Sequence, residues 1–246
     1  MNQQVIDKPG TEVETSGQIK IKEKSRYVSR GGEKLAKALE VFAISVQDRI
    51  CLDGGISTGG FTDCLLQAGA KQVYGIDVGY GQVDWRLRND PRVVLRERTN
   101  LRYLQPGELY LNEVADLGVV DVSFISLTKI LPAMRQLLAT PRELVLLVKP
   151  QFEVGRSRVG KKGVVRNSED QADAIFQVLQ AAQQLGWQYR DLTWSPLLGP
   201  AGNTEYLLWL GMDSQTSNPD LEAIKQVTQS AASHFIALKA HICAPQ

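Results

Sequence analysis

Cys51-Leu-Asp-Gly-Gly-Ile-Ser-Thr-Gly-Gly-Phe-Thr-Asp63 is a short apolar run that ends on Asp53, enters glycines and then opens an amphipathic helix. Such a passage is a ligand-cradling turn. A second apolar run, Gln72 to Ile76, ends on Asp77. An acidic residue about two dozen positions downstream of the first strand is where βαβ folds grip a nucleotide ribose. An adenosine-bearing cofactor is therefore expected.

Two familiar phosphate loops fit these residues poorly. A dinucleotide fingerprint needs GxGxxG so that backbone can approach a pyrophosphate, and no frame here supplies it. A P-loop needs Lys and then Ser or Thr after its last glycine, whereas Gly59 is followed by Gly60 and Phe61. The pattern Asp-x-Gly-x-x-x-Gly suits a ligand without phosphates, such as S-adenosylmethionine. A glycine turn that merely packs a helix on a strand is the competing reading.

Composition sets wide limits. With 246 residues, 43% hydrophobic and 22% charged, the chain can bury a large α/β core. Its net charge of +1 means that a polyanion must be met by local clusters of Lys and Arg. Cys51, Cys64 and Cys243 show no CxxC spacing, so neither a zinc site nor a disulfide framework is indicated. No apolar run approaches the roughly 18 residues of a membrane span, and the polar start is no signal peptide. A cytoplasmic protein without metal or membrane partner is expected.

Along the chain, residues 1–25 alternate polar and β-branched positions around Asp7-Lys-Pro-Gly10, too little to fold alone. Ser29 is a plausible cap for a helix with Leu35, Ala38, Leu39 and Phe42 on its seam; Lys34 directly precedes that seam. From residue 49 onward strands and helices alternate, with strands expected at 49–53, 72–77, 92–96, 117–121, 143–149, 188–194 and 205–210. Ser168-Glu-Asp-Gln171 reads as a capping box opening a helix that stops at Gly186. Further helices are expected over 127–138, with Pro132 in a first turn or a kink, and over 221–240.

In open α/β sheets ligands bind beyond the carboxyl ends of the strands, so the polar residue after each apolar run is a candidate. This selects Asp53, Asp77, Asp121 and Lys149. A lysine ending the run Leu-Val-Leu-Leu-Val is either a buried amine, its pKa lowered so that it can act as a base, or a side chain snorkelling to solvent. The sheet region holds no histidine, so lysines and carboxylates must carry any proton chemistry. Arg156, Arg158, Lys161, Lys162 and Arg166 follow Lys149 in a glycine-bearing loop that reads as a mobile cationic flap for a phosphodiester backbone, or else as a solvated surface loop. Arg26, Arg30, Lys34 and Lys37 form a second basic group, with Tyr27 available to stack on a base.

The chain resembles the TlyA group of FtsJ-like ribosomal RNA methyltransferases, often labelled hemolysins. The resemblance rests on Tyr27-Val-Ser-Arg-Gly-Gly-x-Lys34-Leu, Asp-x-Gly-x-Ser-Thr-Gly-Gly-Phe-Thr-Asp63, Asp77-Val-Gly-Tyr-Gly-Gln82, Glu97-Arg-Thr-Asn-x-Arg102, Asp121-Val-Ser-Phe-Ile-Ser-Leu127, Lys149-Pro-Gln-Phe-Glu153 and Gly202-Asn-x-Glu205-Tyr. It implies a doubly wound, mostly parallel, seven-stranded Rossmann-like methyltransferase sheet over residues 26–246. It also implies a tetrad of Lys34, Asp121, Lys149 and Glu205 that methylates a ribose 2′-hydroxyl, of cytidine, in ribosomal RNA or ribosomal subunits. Within that tetrad Lys149 orients or deprotonates the hydroxyl and the other three hold geometry and charge. S-adenosylmethionine is then expected over Asp53, Gly54, Gly55, Ser57, Thr58, Gly59 and Gly60, with Asp77, Val78, Asn100 and Asp121.

Members of that group begin with a complete S4 RNA-binding domain, of which residues 1–25 resemble only the closing strands. Retained cofactor binding with a weak grip on RNA is the expectation this raises. Three other functions compete: an RNA or ribosome binder that modifies nothing, against which the complete tetrad argues, a dehydrogenase, which the loop spacing disfavours, and a membrane-active hemolysin. A cationic face opposite a broad apolar one would favour the last, and no segment combines them.

Overall fold

The computed structural model describes residues 25–110 and 113–243; the S4-like segment expected over residues 1–25 lies almost entirely outside them. Among the described residues seven strands form one sheet: β1 (Ile50–Gly54), β2 (Gln72–Ile76), β3 (Val93–Arg96), β4 (Leu117–Val120), β5 (Glu143–Val148), β6 (Gln188–Trp194) and β7 (Tyr206–Gly211). The helices are α1 (Gly31–Val41), α2 (Gly60–Gln67), α3 (Trp85–Arg88), α4 (Pro106–Leu109), α5 (Leu131–Leu137), α6 (Pro150–Glu153), α7 (Ser168–Gln184) and α8 (Leu221–Cys243). Strand order is β3-β2-β1-β4-β5-β7-β6. The first five strands run parallel, and β7 is antiparallel to both β5 and β6.

Alternation along each strand divides the interior in two. In β5, Leu144, Leu146 and Val148 join the core beneath α5, α7 and α8, while Val145 and Leu147 join the core beneath α1 and α2. Both faces are covered, so these central strands are apolar throughout.

Three helix boundaries differ from the sequence reading. Asn167 rather than Ser168 caps α7, accepting from the Glu169 amide at 2.9 Å. Gln171, the expected closing member of the capping box, is buried and donates to the Val165 carbonyl at 2.8 Å. Arg30 rather than Ser29 is the N-cap of α1, with no side-chain cap, and the Ser29 carbonyl accepts from Gly32 N at 3.1 Å. The span 127–138 splits into a 3₁₀ turn, Leu127–Lys129, and α5, whose first turn holds Pro132.

The start of α2 packs closely on the start of α1. A Cβ on Gly60 would lie 2.3 Å from Ser29 Oγ and 2.9 Å from Gly32 N. Asp63 adds a tie, its Oδ2 accepting from Val28 N at 2.8 Å. Gly60→Ala should force the two helices apart and cost ~1–3 kcal/mol, read as a lowered denaturant midpoint with an unchanged slope.

Candidate active site

Side-chain parity decides what reaches the carboxyl edge of the sheet. Cys51, Leu117, Val119, Val145, Leu147 and Leu207 all belong to the α1/α2 core. Continuing each alternation by one step brings Asp53, Asp121, Lys149 and Glu205 to that same face. Lys34 arrives there from α1, buried together with its neighbour Leu35.

These residues meet as two ion pairs. Lys34 Nζ lies 2.5 Å from Glu205 Oε2, with Glu205 1% exposed. The Glu205 carboxylate presses on Gly199, where an added Cβ would come within 2.6 Å of Oε1. Lys149 Nζ lies 2.6 Å from Asp121 Oδ1 and donates to Ser123 Oγ at 2.8 Å. The first of these is a charge contact whose angle falls short of a hydrogen bond, since Asp121 Oδ1 has no aligned donor. The lone buried amine that the sequence allowed is thus replaced by a lysine with a carboxylate and a hydroxyl as partners.

Glu153 holds this arrangement together. Its carboxylate accepts from Ser126 Oγ at 2.6 Å and from Leu127 N at 2.9 Å, which ties the end of the 121–127 loop to the helix that begins right after Lys149. Burial pushes its carboxyl above the usual range, opposed by those two hydrogen bonds. On the same loop Phe124 has φ 64° and is 92% exposed, its ring centroid 5.2 Å from that of Phe152. Glu153, Ser123 and Phe124 were not among the residues selected from sequence. Glu153 had a signal, lying one helical turn beyond Lys149, whereas the exposure of Phe124 has none.

The glycine turn forms the other wall. Gly55 has φ 88°, and a Cβ there would lie 2.5 Å from the Asp121 carbonyl, so only glycine lets the turn approach β4. Both Asp77 oxygens accept backbone amides, from Ser57 at 2.8 Å and from Gly79 at 2.7 Å, clasping the turn to the end of β2. Val78 is 70% exposed beside it. Asn100, after β3, is exposed and its side chain accepts from Arg102 N at 3.1 Å. A cleft of about 210 Å³ joins the two walls, lined by Gly55, Ser57, Thr58 and Gly60 on one side and Lys34 and Asp121 on the other.

Asp53 lies at the base of that turn, 1% exposed. Its Oδ2 accepts from Thr62 Oγ1 at 2.7 Å while Oδ1 is buried without a partner. Burial pushes its pKa up to about 7, against the Thr62 hydrogen bonds, and the charges of Asp121 and Asp77 push in the same direction as burial. Three neighbouring carboxylates, one of them buried with an orphaned oxygen, are suited to a cationic ligand. S-adenosylmethionine, a sulfonium with an ammonium, fits that donor set.

The basic residues divide. Arg156, Lys161, Lys162 and Arg166 are exposed, with no described carboxylate within salt-bridge distance. Arg158 turns away to Asp173 at 2.6 Å and Asp170 at 3.5 Å on α7. The loop is pinned rather than loose, since Asn203 and Gln171 hold its last residues. Tyr27 is only 5% exposed and packs on Gly32, so it offers no face to a base. Arg26 stacks over that ring at 5.2 Å, Lys37 lies 4.7 Å from the Trp194 ring, and Arg30 lines the cleft. Among the described residues no three His, Cys, Asp or Glu are grouped to hold a metal ion.

A doubly wound sheet with an acidic glycine turn and a lysine–carboxylate pair at its carboxyl edge defines a methyltransferase that takes S-adenosylmethionine as cofactor. Residues 27–212 match the FtsJ-like methyltransferase family, and the chain belongs to it. It is 50% identical over 205 residues to the 16S/23S rRNA (cytidine-2′-O)-methyltransferase TlyA of Mycobacterium tuberculosis, covering 82% of this chain and 76% of that one. A candidate rRNA methyltransferase of Bacillus subtilis, YqxC, is 45% identical over 234 residues, 94% and 83% of the two chains. Among solved structures, a candidate hemolysin from Streptococcus thermophilus superposes with a TM-score of 0.84 at 44% identity, covering 89% of this chain and 78% of that one.

Two outcomes follow from the geometry. Because the folded state keeps Asp53 protonated to about pH 7, while an unfolded Asp ionises near ~3.9, its neutral form favours folding below pH ~4. That contribution fades as pH rises to about 7. Denaturant midpoints of the free protein between pH 4 and 8 should show this decline, and Asp53→Asn should flatten it. Glu153→Ala leaves the buried Leu127 amide without its acceptor, and should lower kcat ~10-fold or more while leaving cofactor affinity within about twofold.

Proposed function

We propose that this protein transfers a methyl group from S-adenosylmethionine to a ribose 2′-hydroxyl of ribosomal RNA, with cytidine as the nucleoside. The observation that carries this reading is the Lys149–Asp121 pair standing beside the acidic glycine turn, with Lys34 of the second pair lining the same cleft. The names of the Bacillus subtilis and Mycobacterium tuberculosis relatives point to ribosomal RNA, and the latter to a cytidine 2′-hydroxyl.

When bound, S-adenosylmethionine supplies an electrophilic methyl group on a sulfonium whose leaving group is neutral. Asp53, Asp77 and the amides of the 54–60 turn would hold it, with Val78 and Asn100 beside the adenosine. Little acid catalysis is then required; the acceptor must be aligned and its proton removed. Lys149 orients the hydroxyl and accepts its proton at Nζ, after one of its own protons passes to Asp121 or to solvent. Asp121 and Ser123 keep the amine in place. The Lys34–Glu205 pair fixes the wall opposite the turn and neutralises charge there. Arg156, Lys161, Lys162 and Arg166, with Arg26, Arg30 and Lys37, supply positive charge for the phosphates, and Phe124 offers a flat apolar face to a base.

The hemolysin label borne by one relative has a simple physical test. Among the described residues no helix is long and apolar enough to cross a membrane, so lysis of red cells by the pure protein would argue against an RNA-directed role.

Labelled S-adenosylmethionine, unmethylated ribosomal subunits and this protein should yield label in rRNA at a cytidine, mapped by a primer-extension stop at low nucleotide concentration. Lys149→Ala should lower kcat by ~10²–10⁴-fold with cofactor affinity nearly unchanged. Asp53→Ala should instead weaken cofactor binding measured without RNA. Binding of rRNA without label in either subunit would favour the non-catalytic binder.

A further inference from the structure

Asn203 lies two residues before Glu205 and bonds the basic loop. It is 2% exposed, and both ends of its amide are spent on the basic loop: Oδ1 accepts from Val165 N at 2.9 Å and Nδ2 donates to the Gly163 carbonyl at 2.9 Å. Val165 is held from its other side as well. Its carbonyl accepts from Gln171 Nε2 at 2.8 Å, and Gln171 Oε1 accepts from the Tyr206 hydroxyl at 2.5 Å. Buried amide groups with every partner satisfied specify one backbone conformation, because any other leaves polar atoms unpaired away from water.

What that conformation presents is the tip of the loop. Gly160 N donates to the Val164 carbonyl at 3.1 Å, closing a turn in which Lys162 has φ 67° and Gly163 φ 76°. A lysine in the left-handed region persists only where its surroundings impose it. Asn203 bonds the carbonyl of the very next residue, Gly163. Lys161 and Lys162 stand exposed on this turn.

The same short segment reaches the chemistry. Two residues after Asn203 comes Glu205, paired with Lys34; the Asn203 carbonyl accepts from Gly199 N at 2.8 Å, and Gly199 packs on the Glu205 carboxylate. We infer that Asn203 is a positioning residue that holds the 160–165 turn in the shape that delivers its lysines to RNA phosphates, and makes that grip continuous with the Lys34–Glu205 wall. This deepens the reading of the chain as an RNA methyltransferase and rests on it.

The test uses the full chain, labelled unmethylated rRNA and a salt series. Asn203→Ala should raise KM for rRNA ~10-fold and lower the slope of log binding constant against log salt by ~2, the loss expected when two phosphate contacts go. Lys161→Ala with Lys162→Ala should do the same. Combining all three should add little, since a turn without lysines has nothing left to deliver. S-adenosylmethionine affinity, measured without RNA, should stay within about twofold. Should Asn203→Ala fail to bind the cofactor, Gln171→Ala, which frees the other side of Val165, takes its place with the same expected slope. An unchanged salt slope in a variant that binds cofactor, or losses that add in full, would overturn the inference. Absence of any rRNA methylation by the unaltered protein would instead overturn the function it rests on.

Discussion

The ammonium of Lys34 and the carboxylate of Glu205, 2.5 Å apart and withdrawn from water, join α1 to the residue leading into β7 across 171 residues of sequence. Pairs of this kind add little net stability, because desolvating two charges offsets most of their attraction. Their value lies in geometry, since neither charge has a low-energy place to go without the other. The pair holds α1 at the carboxyl edge of the sheet, where Lys34 lines the cleft beside Gly31 and Gly60. A loose α1 would open the cleft to water.

Opposite this neutralised wall the site is strongly acidic. Asp53, Asp77 and Asp121 each end a parallel strand, and the sheet brings those ends together, so their charges oppose one another. Asp77 offsets part of that by accepting two backbone amides and Asp121 by its contact with Lys149. Asp53 has only the Thr62 hydroxyl and backbone, and burial pushes it towards neutrality. An arrangement so unfavourable when empty is the arrangement a cationic methyl donor relieves, which joins the electrostatics of the turn to the chemistry of the family.

Most of the sheet was legible beforehand. All seven strands lie within a residue or so of where the sequence placed them; the central ones are covered on both faces, so they are apolar throughout and end where polarity returns, whereas the edge strand β6 is half-buried and partly polar. Asp53, Asp121 and Lys149 were legible by the same logic, as polar residues following parallel strands. Glu205 was not, since it precedes its strand. An antiparallel strand enters the sheet at the edge where the parallel ones leave, so its active-edge residue comes before the apolar run. Lys34 was hidden as well, a lysine on a helix being usually a solvated one. Both became candidates only through resemblance.

By itself, then, the chain determined its strands, its glycine turn and the chemical character of the residues at the strand ends, because these depend on local periodicity and on backbone freedom at single positions. Tertiary structure alone decided that Lys149 shares its place with Asp121 and Ser123, that Tyr27 is core, that Arg158 is turned to α7, and that the basic loop is clamped by Asn203. Each is a contact between segments far apart in sequence, and strand order with side-chain parity, rather than residue type, settles which of them meet.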